Sequence, residues 1–243
     1  MQDQDLARLL VSCLDLTDLS DTCAQGDIAS LIARAQTQVG PVAAICIWPR
    51  FVAYARRLAG DRMRIATVVN FPSGTADVGA SVEEAAQAIA DGADEIDYVL
   101  SREGTVAEVS AMRDACEGRT LKVILETGER DDASAIARAA QAALEGGADF
   151  IKTSTGKTRT GATPEAVAVM LDALRRSGRA AGIKPSGGIR GFSEAGRYFD
   201  MAEAAMGTGW VGPATFRLGA SSLLTDLLAV AEGKPSAESR EGY

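Results

Sequence analysis

The chain contains no histidine, which removes the commonest general base and the commonest imidazole metal ligand together. Proton transfer therefore has to rest on Asp, Glu, Lys, Tyr or water. Its four cysteines, Cys13, Cys23, Cys46 and Cys116, form no close CxxC pair, so neither a zinc site nor a disulfide framework is indicated and a reducing compartment fits best. No apolar run approaches the roughly 20 residues of a membrane span. The opening residues, MQDQDLARLL, are acidic where a secretory signal is basic. Positive charge is in short supply, with a net charge of -8, which argues against a phosphate-backbone binder. The expectation is a soluble, cytoplasmic protein with neither nucleic acid nor membrane as partner.

What is present is an alternation. With 243 residues, 47% of them hydrophobic, the chain can bury a full core. Short apolar runs of strand length recur about every 30 residues, each followed by a helical pattern, and eight such units match the roughly 250 residues of a (β/α)8 barrel. The strands are read at residues 12–17, 42–47, 64–69, 94–100, 121–128, 149–157, 181–185 and, more weakly, 215–220. Helices are read at about 3–11, 27–39, from Pro49 to about 58, through about Cys116, and over 132–146, with Ser81 and Glu84 as a capping box. Thr163 and Pro164 start the helix after the sixth strand, and Ser221 is read as capping a last helix to about Ala231. The fold class predicted is a single-domain (β/α)8 TIM barrel over residues 1–232, with 233–243 as a flexible C-terminal tail. An open doubly wound sheet is disfavoured because no GxGxxG turn follows the first strand.

Barrels carry their sites at the carboxyl ends of the strands, so polar residues at strand exits matter most. Lys152 ends the sixth strand, Lys184 the adjacent seventh, and Asp97 lies late in the fourth. Side-chain alternation points all three inward. A lysine withdrawn from water beside a second ammonium loses preference for its proton, and a neutral amine attacks carbonyls to give a Schiff base. Either lysine alone reads more readily as a snorkelling surface residue or a buried ion-pair partner, and it is the two at the ends of adjacent strands that favour chemistry. Asp97 alone reads equally as a partner of Lys122, also inward by parity. Glu95 and Glu126 are assigned to such interior pairing, and Cys46 to the core. Gly187 and Gly188 after the seventh strand, and Gly219, Ser221 and Ser222 around the eighth, offer backbone N–H groups where barrels commonly hold phosphate. Arg190 is close by, and Gly156 with Lys157 stands at the site mouth.

These residues sit in stretches that resemble the deoxyribose-phosphate aldolase family of Schiff-base aldolases. The stretches are LDLTDL (14–19), AAICIWPRF (43–51), RIATVVNFP (64–72), GADEIDYV (92–99), LKVILETGE (121–129), GADFIKTSTGK (147–157), GIKPSGGIR (182–190) and FRLGASSLL (216–224). The resemblance spans nearly the whole chain. It departs from the familiar pattern at Trp48, Ser73 and Ser186. It implies Lys152 as the imine-forming residue, Lys184 as its charged neighbour, Asp97 and Asp15 in proton transfer, and phosphate contacts from Gly156, Gly187, Gly188, Ser221 and Ser222. Lys157 and Arg190 would lie close, and Tyr243 would assist at the substrate C2. It further implies a sugar phosphate and aldehydes as the small-molecule partners, no cofactor or metal, and a homodimer. The rivals are a Schiff-base barrel aldolase for a longer sugar phosphate, and a non-catalytic sugar-phosphate-binding barrel. A metal-dependent aldolase is disfavoured by the lack of histidine.

Overall fold

A strand followed by a helix and a parallel strand packs only as a right-handed crossover, and eight such crossovers in succession can close on themselves. The computed structural model describes residues 1–237 and shows this closure. The strands are β1 (Leu14–Asp18), β2 (Ala44–Ile47), β3 (Ile65–Val69), β4 (Glu95–Val99), β5 (Thr120–Ile124), β6 (Phe150–Lys152), β7 (Gly182–Lys184) and β8 (Leu218–Ala220). They pair in parallel as one eight-stranded sheet that runs β8, β1, and on in order to β7. Backbone bonds from Ile183 N–H to the Thr215 carbonyl, Arg217 N–H to the Ile183 carbonyl and Gly219 N–H to the Pro185 carbonyl, each 2.9 Å, join its two edges. The helices are α1 (Asp3–Ser12), α2 (Gln25–Ala35), α3 (Val52–Ala59), α4 (Val78–Ala90), α5 (Val106–Ala115), α6 (Ala133–Glu145), α7 (Pro164–Ser177), α8 (Phe192–Met206) and α9 (Leu223–Ala231). Among the described residues no helix is long and apolar enough to cross a membrane.

The outward faces of the strands carry the apolar core. Leu14, Leu16, Ile45, Ile47, Ile96, Leu121, Val123, Ile151, Ile183 and Leu218 are fully buried against the helices. Burial of this kind stabilises by roughly 25 cal/mol for each Å² of apolar surface removed from water. The inward faces are polar on one side of the ring and small on the other, with Ala44, Cys46, Ala66 and Val68 on β2 and β3.

Several boundaries differ from the sequence reading. The helix expected over 27–39 stops at Ala35, because Gln36 and Thr37 turn extended and pair with Gly40 and Pro41. The Ser81 and Glu84 capping box does not form. Asp77 caps α4 by accepting from Ala80 N–H, Ser81 lies inside the helix, and Glu84 accepts the Asn70 N–H instead. The fifth strand ends at Ile124, since Glu126 adopts a left-handed backbone with φ 48° and no sheet continues through it. Ser221 does not cap α9; Ser222 holds the N-cap position, without a side-chain hydrogen bond. At the other end of the chain, Ser236 Oγ and Ala237 N–H both bond to Asp226 at 2.7 Å, tying the start of the expected tail to α9. Tyr243 lies outside the described residues.

Candidate active site

Parallel register places charged residues side by side on the inner wall. Asp97 on β4 is level with Lys122 on β5, and Lys152 on β6 is level with Lys184 on β7. All four are at most 4% exposed, so each ionised group must find its partner within the protein. Asp97 supplies most of the partners. Its Oδ2 accepts from Lys152 Nζ and Lys184 Nζ, both at 2.7 Å, and its Oδ1 accepts from Lys122 Nζ at 2.8 Å. Asp15 on β1 accepts from Lys184 Nζ at 2.5 Å and stands 3.1 Å from Lys122 Nζ. The four residues predicted from β1, β4, β6 and β7 are thus hydrogen-bonded into one cluster.

The electrostatics separate the lysines. Burial disfavours every charge in this wall, yet the surrounding ammonium groups more than offset it for the carboxylates and hold Asp15 and Asp97 well below the usual range. Burial likewise opposes the charge on Lys184, but Asp15 and Asp97 outweigh it and raise its pKa. At Lys152 burial wins. Its pKa is lowered, because Asp97 is its single carboxylate partner and the Lys184 ammonium adds to the burial effect. Of the buried lysines, Lys152 alone is driven toward the free amine.

Lys152 also faces a cleft of about 490 Å³ at the carboxyl ends of the strands. That cleft is lined by Gly156 and Lys157 from the loop after β6, by Gly187, Gly188 and Arg190 from the loop after β7, and by Gly219, Ser221 and Ser222 at β8 and the start of α9. Every residue assigned to anion binding from sequence lines it. Gly187 has φ +86°, and a Cβ there would stand 2.8 Å from Ser154 Oγ, so the backbone passes where a side chain would not fit. A Cβ on Gly219 would come within 2.7 Å of Ser186 Cβ and 3.1 Å of Lys184 Cε, so this glycine makes room for the lysine stem. The N-terminus of α9, without a side-chain cap, opens on the same cleft.

Two loops are locked around this cleft. Ser186 Oγ donates to the Ser154 carbonyl at 2.6 Å, while Ser154 Oγ and Thr153 Oγ1 donate to the Ser186 carbonyl at 2.5 and 3.0 Å. Glu126 is a correction to the expected interior pairing. From its left-handed position it accepts the Thr155 N–H and hydroxyl and the Thr158 hydroxyl, clamping the loop that leads to Gly156 and Lys157. Lys157 Nζ bonds to Asp21 at 3.0 Å across the mouth.

Two cations escaped the sequence reading. Arg217 is buried and bridges Asp15 and Glu95; its inward direction follows from the same alternation that places Gly219. Arg34 on α2 lines the same cleft, and no local pattern signals it, since its place there depends on how α2 packs on the barrel.

Comparisons with known proteins agree over the whole chain. A family described as DeoC/LacD family aldolase matches residues 10–227. A deoxyribose-phosphate aldolase of Agrobacterium fabrum (strain C58) is 49% identical, covering 99% of this chain and 97% of the relative. A solved candidate deoxyribose-phosphate aldolase from Toxoplasma gondii ME49 superposes with a TM-score of 0.87 at 28% identity, covering 97% of each chain. A tetrameric deoxyribose phosphate aldolase from Aeropyrum pernix gives 0.78 at 26% identity, over 94% of this chain and 92% of the other.

Proposed function

Because the chain belongs to the DeoC/LacD aldolase family, we propose that it is the enzyme that reversibly cleaves 2-deoxy-D-ribose 5-phosphate to acetaldehyde and D-glyceraldehyde 3-phosphate through a Schiff base on Lys152. The observation that carries this reading is the pairing of a buried lysine biased to the free amine with a glycine-rich anion cradle in one cleft. The chemistry follows from the positions. Lys152 Nζ adds to the open-chain aldehyde at C1 and expels water, giving a protonated imine. Asp97 Oδ2, 2.7 Å from that nitrogen, holds the iminium proton in a medium where the interaction is strong. A water held by Asp97 and Lys184 accepts the C3 hydroxyl proton, and the C2–C3 electron pair moves into the iminium to leave an enamine. Glyceraldehyde 3-phosphate departs. The enamine takes a proton at C2, and water releases acetaldehyde and restores the amine.

Asp97 is ionised too firmly to serve as a strong base by itself. Its part, and that of Asp15 and the Lys184 ammonium, is to order the water and stabilise charge. The phosphate is assigned to the N–H groups at Gly156, Gly187 and Gly188 and to the start of α9 with Ser221 and Ser222; Gly219 lines the cleft, but its N–H is taken by the Pro185 carbonyl. Lys157, Arg190 and Arg34 supply positive charge around it. Tyr243 is assigned by resemblance to proton transfer at C2.

The test is borohydride reduction of the protein in the presence of acetaldehyde, followed by peptide mass spectrometry. A two-carbon adduct on the Lys152 peptide, lost in Lys152→Met, is the expected result. Adducts scattered over surface lysines would overturn the assignment.

A further inference from the structure

Seven ionisable side chains fill the barrel interior, and their charges can be counted. Asp15, Glu95 and Asp97 are the carboxylates; Lys122, Lys152, Lys184 and Arg217 are the cations; none is more than 4% exposed. Arg217 Nη1 donates to Asp15 Oδ1 at 2.5 Å and to Glu95 Oε2 at 3.1 Å, and its Nη2 donates to Glu95 Oε1 at 3.0 Å. Lys122 Nζ lies 2.7 Å from Glu95 Oε2 and 2.8 Å from Asp97 Oδ1. An unbroken chain of ion pairs therefore runs from Arg217 through Glu95 and Lys122 to Asp97, and so to Lys152.

Three carboxylates against Lys122, Lys184 and Arg217 sum to zero. A proton on Lys152 leaves one buried positive charge without a counter-charge, which a water-poor interior strongly disfavours. The surroundings add little compensation. Cys46 on β2 and Cys13 ahead of β1 are thiols that burial keeps neutral, and Ala66 and Val68 on β3 carry no charge. Arg64, ahead of β3, comes within 3.6 Å of Glu95, but its side chain is 65% exposed and screened by water.

We propose that Arg217, which does not line the catalytic cleft, is a positioning residue that sets how much of Lys152 is present as free amine, by being the third cation that completes the charge of the three interior carboxylates. The proposal rests on the reading of Lys152 as the amine nucleophile. Arg217→Met leaves the interior one charge negative, and a proton on Lys152 relieves it. Glu95→Gln leaves the interior positive and pushes the same proton off. The double variant restores neutrality.

The measurement is the pH dependence of trace acetylation of Lys152 by acetic anhydride, read by peptide mass spectrometry. This reports the amine directly and requires no turnover. Arg217→Met should move the midpoint upward by about one pH unit, as expected for one charge removed four ion pairs away at an effective dielectric near 20. Glu95→Gln should move it downward, and the double variant should return it to the wild-type position. Shifts of the same sign in both single variants, or no shift in either, would overturn the proposal, because a purely structural role predicts no opposition of sign. Should Arg217→Met fail to fold, Glu95→Gln and Arg217→Lys decide. A downward shift in the first with an unmoved midpoint in the second is the expected pair, and an unmoved midpoint in Glu95→Gln overturns the idea. Opposed shifts in a protein that forms no acetaldehyde adduct would leave this proposal standing and remove the aldolase mechanism.

Discussion

Lys122 and Lys152 occupy adjacent strands, face the same interior and are both buried, yet the barrel treats them oppositely. Lys122, on the floor, has Asp15, Glu95 and Asp97 within 3.1 Å, and its pKa is raised well above the ordinary value of 10.5 despite burial. Lys152, at the mouth, has Asp97 alone and a second ammonium nearby, and its pKa is lowered. The same residue type is held as a cation or pressed toward the free amine according to how many carboxylates reach it. Burial supplies the pressure to lose a proton; the count of partners decides which lysine yields.

The strongest way to break this contrast is to truncate each lysine in turn. Lys152→Met should reduce turnover on the order of 10⁴-fold, as loss of a nucleophile does. It should leave stability unchanged or raise it by about 1 kcal/mol, because Asp97 keeps Lys122 and Lys184. Lys122→Met should do the reverse, lowering stability by about 3–5 kcal/mol through the carboxylates it leaves uncompensated. Urea denaturation of both variants beside steady-state rates checks the pair, and equal destabilisation would erase the distinction between floor and mouth.

The pH dependence sharpens it. A lysine with a lowered folded-state pKa penalises the folded state below 10.5, because the unfolded chain binds its proton more readily. The advantage of Lys152→Met over wild type should therefore be absent above pH 10.5 and grow as pH falls toward the folded pKa of Lys152. The contribution of Lys122, whose pKa is raised, should be full below 10.5 and disappear only as pH rises through its folded value. Denaturation midpoints collected across alkaline pH separate the two slopes.

The smallest effect concerns the rim. Gly187→Ala would force a Cβ into a left-handed position against Ser154, a strain of about 1–2 kcal/mol, corresponding to roughly tenfold in affinity. It should raise KM for the phosphorylated sugar, with far less change for unphosphorylated deoxyribose. A rise of equal size for both would detach Gly187 from the phosphate.

How much of this was legible beforehand follows from the range of each signal. Strand alternation is local, so the inward direction of Asp97, Lys122, Lys152 and Lys184 was readable. That the residues assigned to anion binding gather along one cleft was readable because glycine in a βα turn marks a backbone requirement at one position. Partner choice is not local. Glu126 was assigned to the interior, whereas a single left-handed residue turns it onto the loop after β6. Arg217 stands just ahead of the last strand, where the sequence pattern is weakest. Arg34 enters the cleft through helix placement, which no window of sequence encodes. The capping box at Ser81 failed for a related reason: Asp77, four residues earlier, competes for the same helix start and prevails.

The small side chains of β2 and β3 have a further consequence. Ala44, Cys46, Ala66 and Val68, with Leu19, Trp48 and Phe71 around them, form an apolar wall on the side of the ring away from the long cations. The interior is thus shaped by subtraction, one half of the ring being built short so that the other can reach inward. The reach of the buried cations across the ring is accordingly a matter of volume, left to them by side chains that carry no charge.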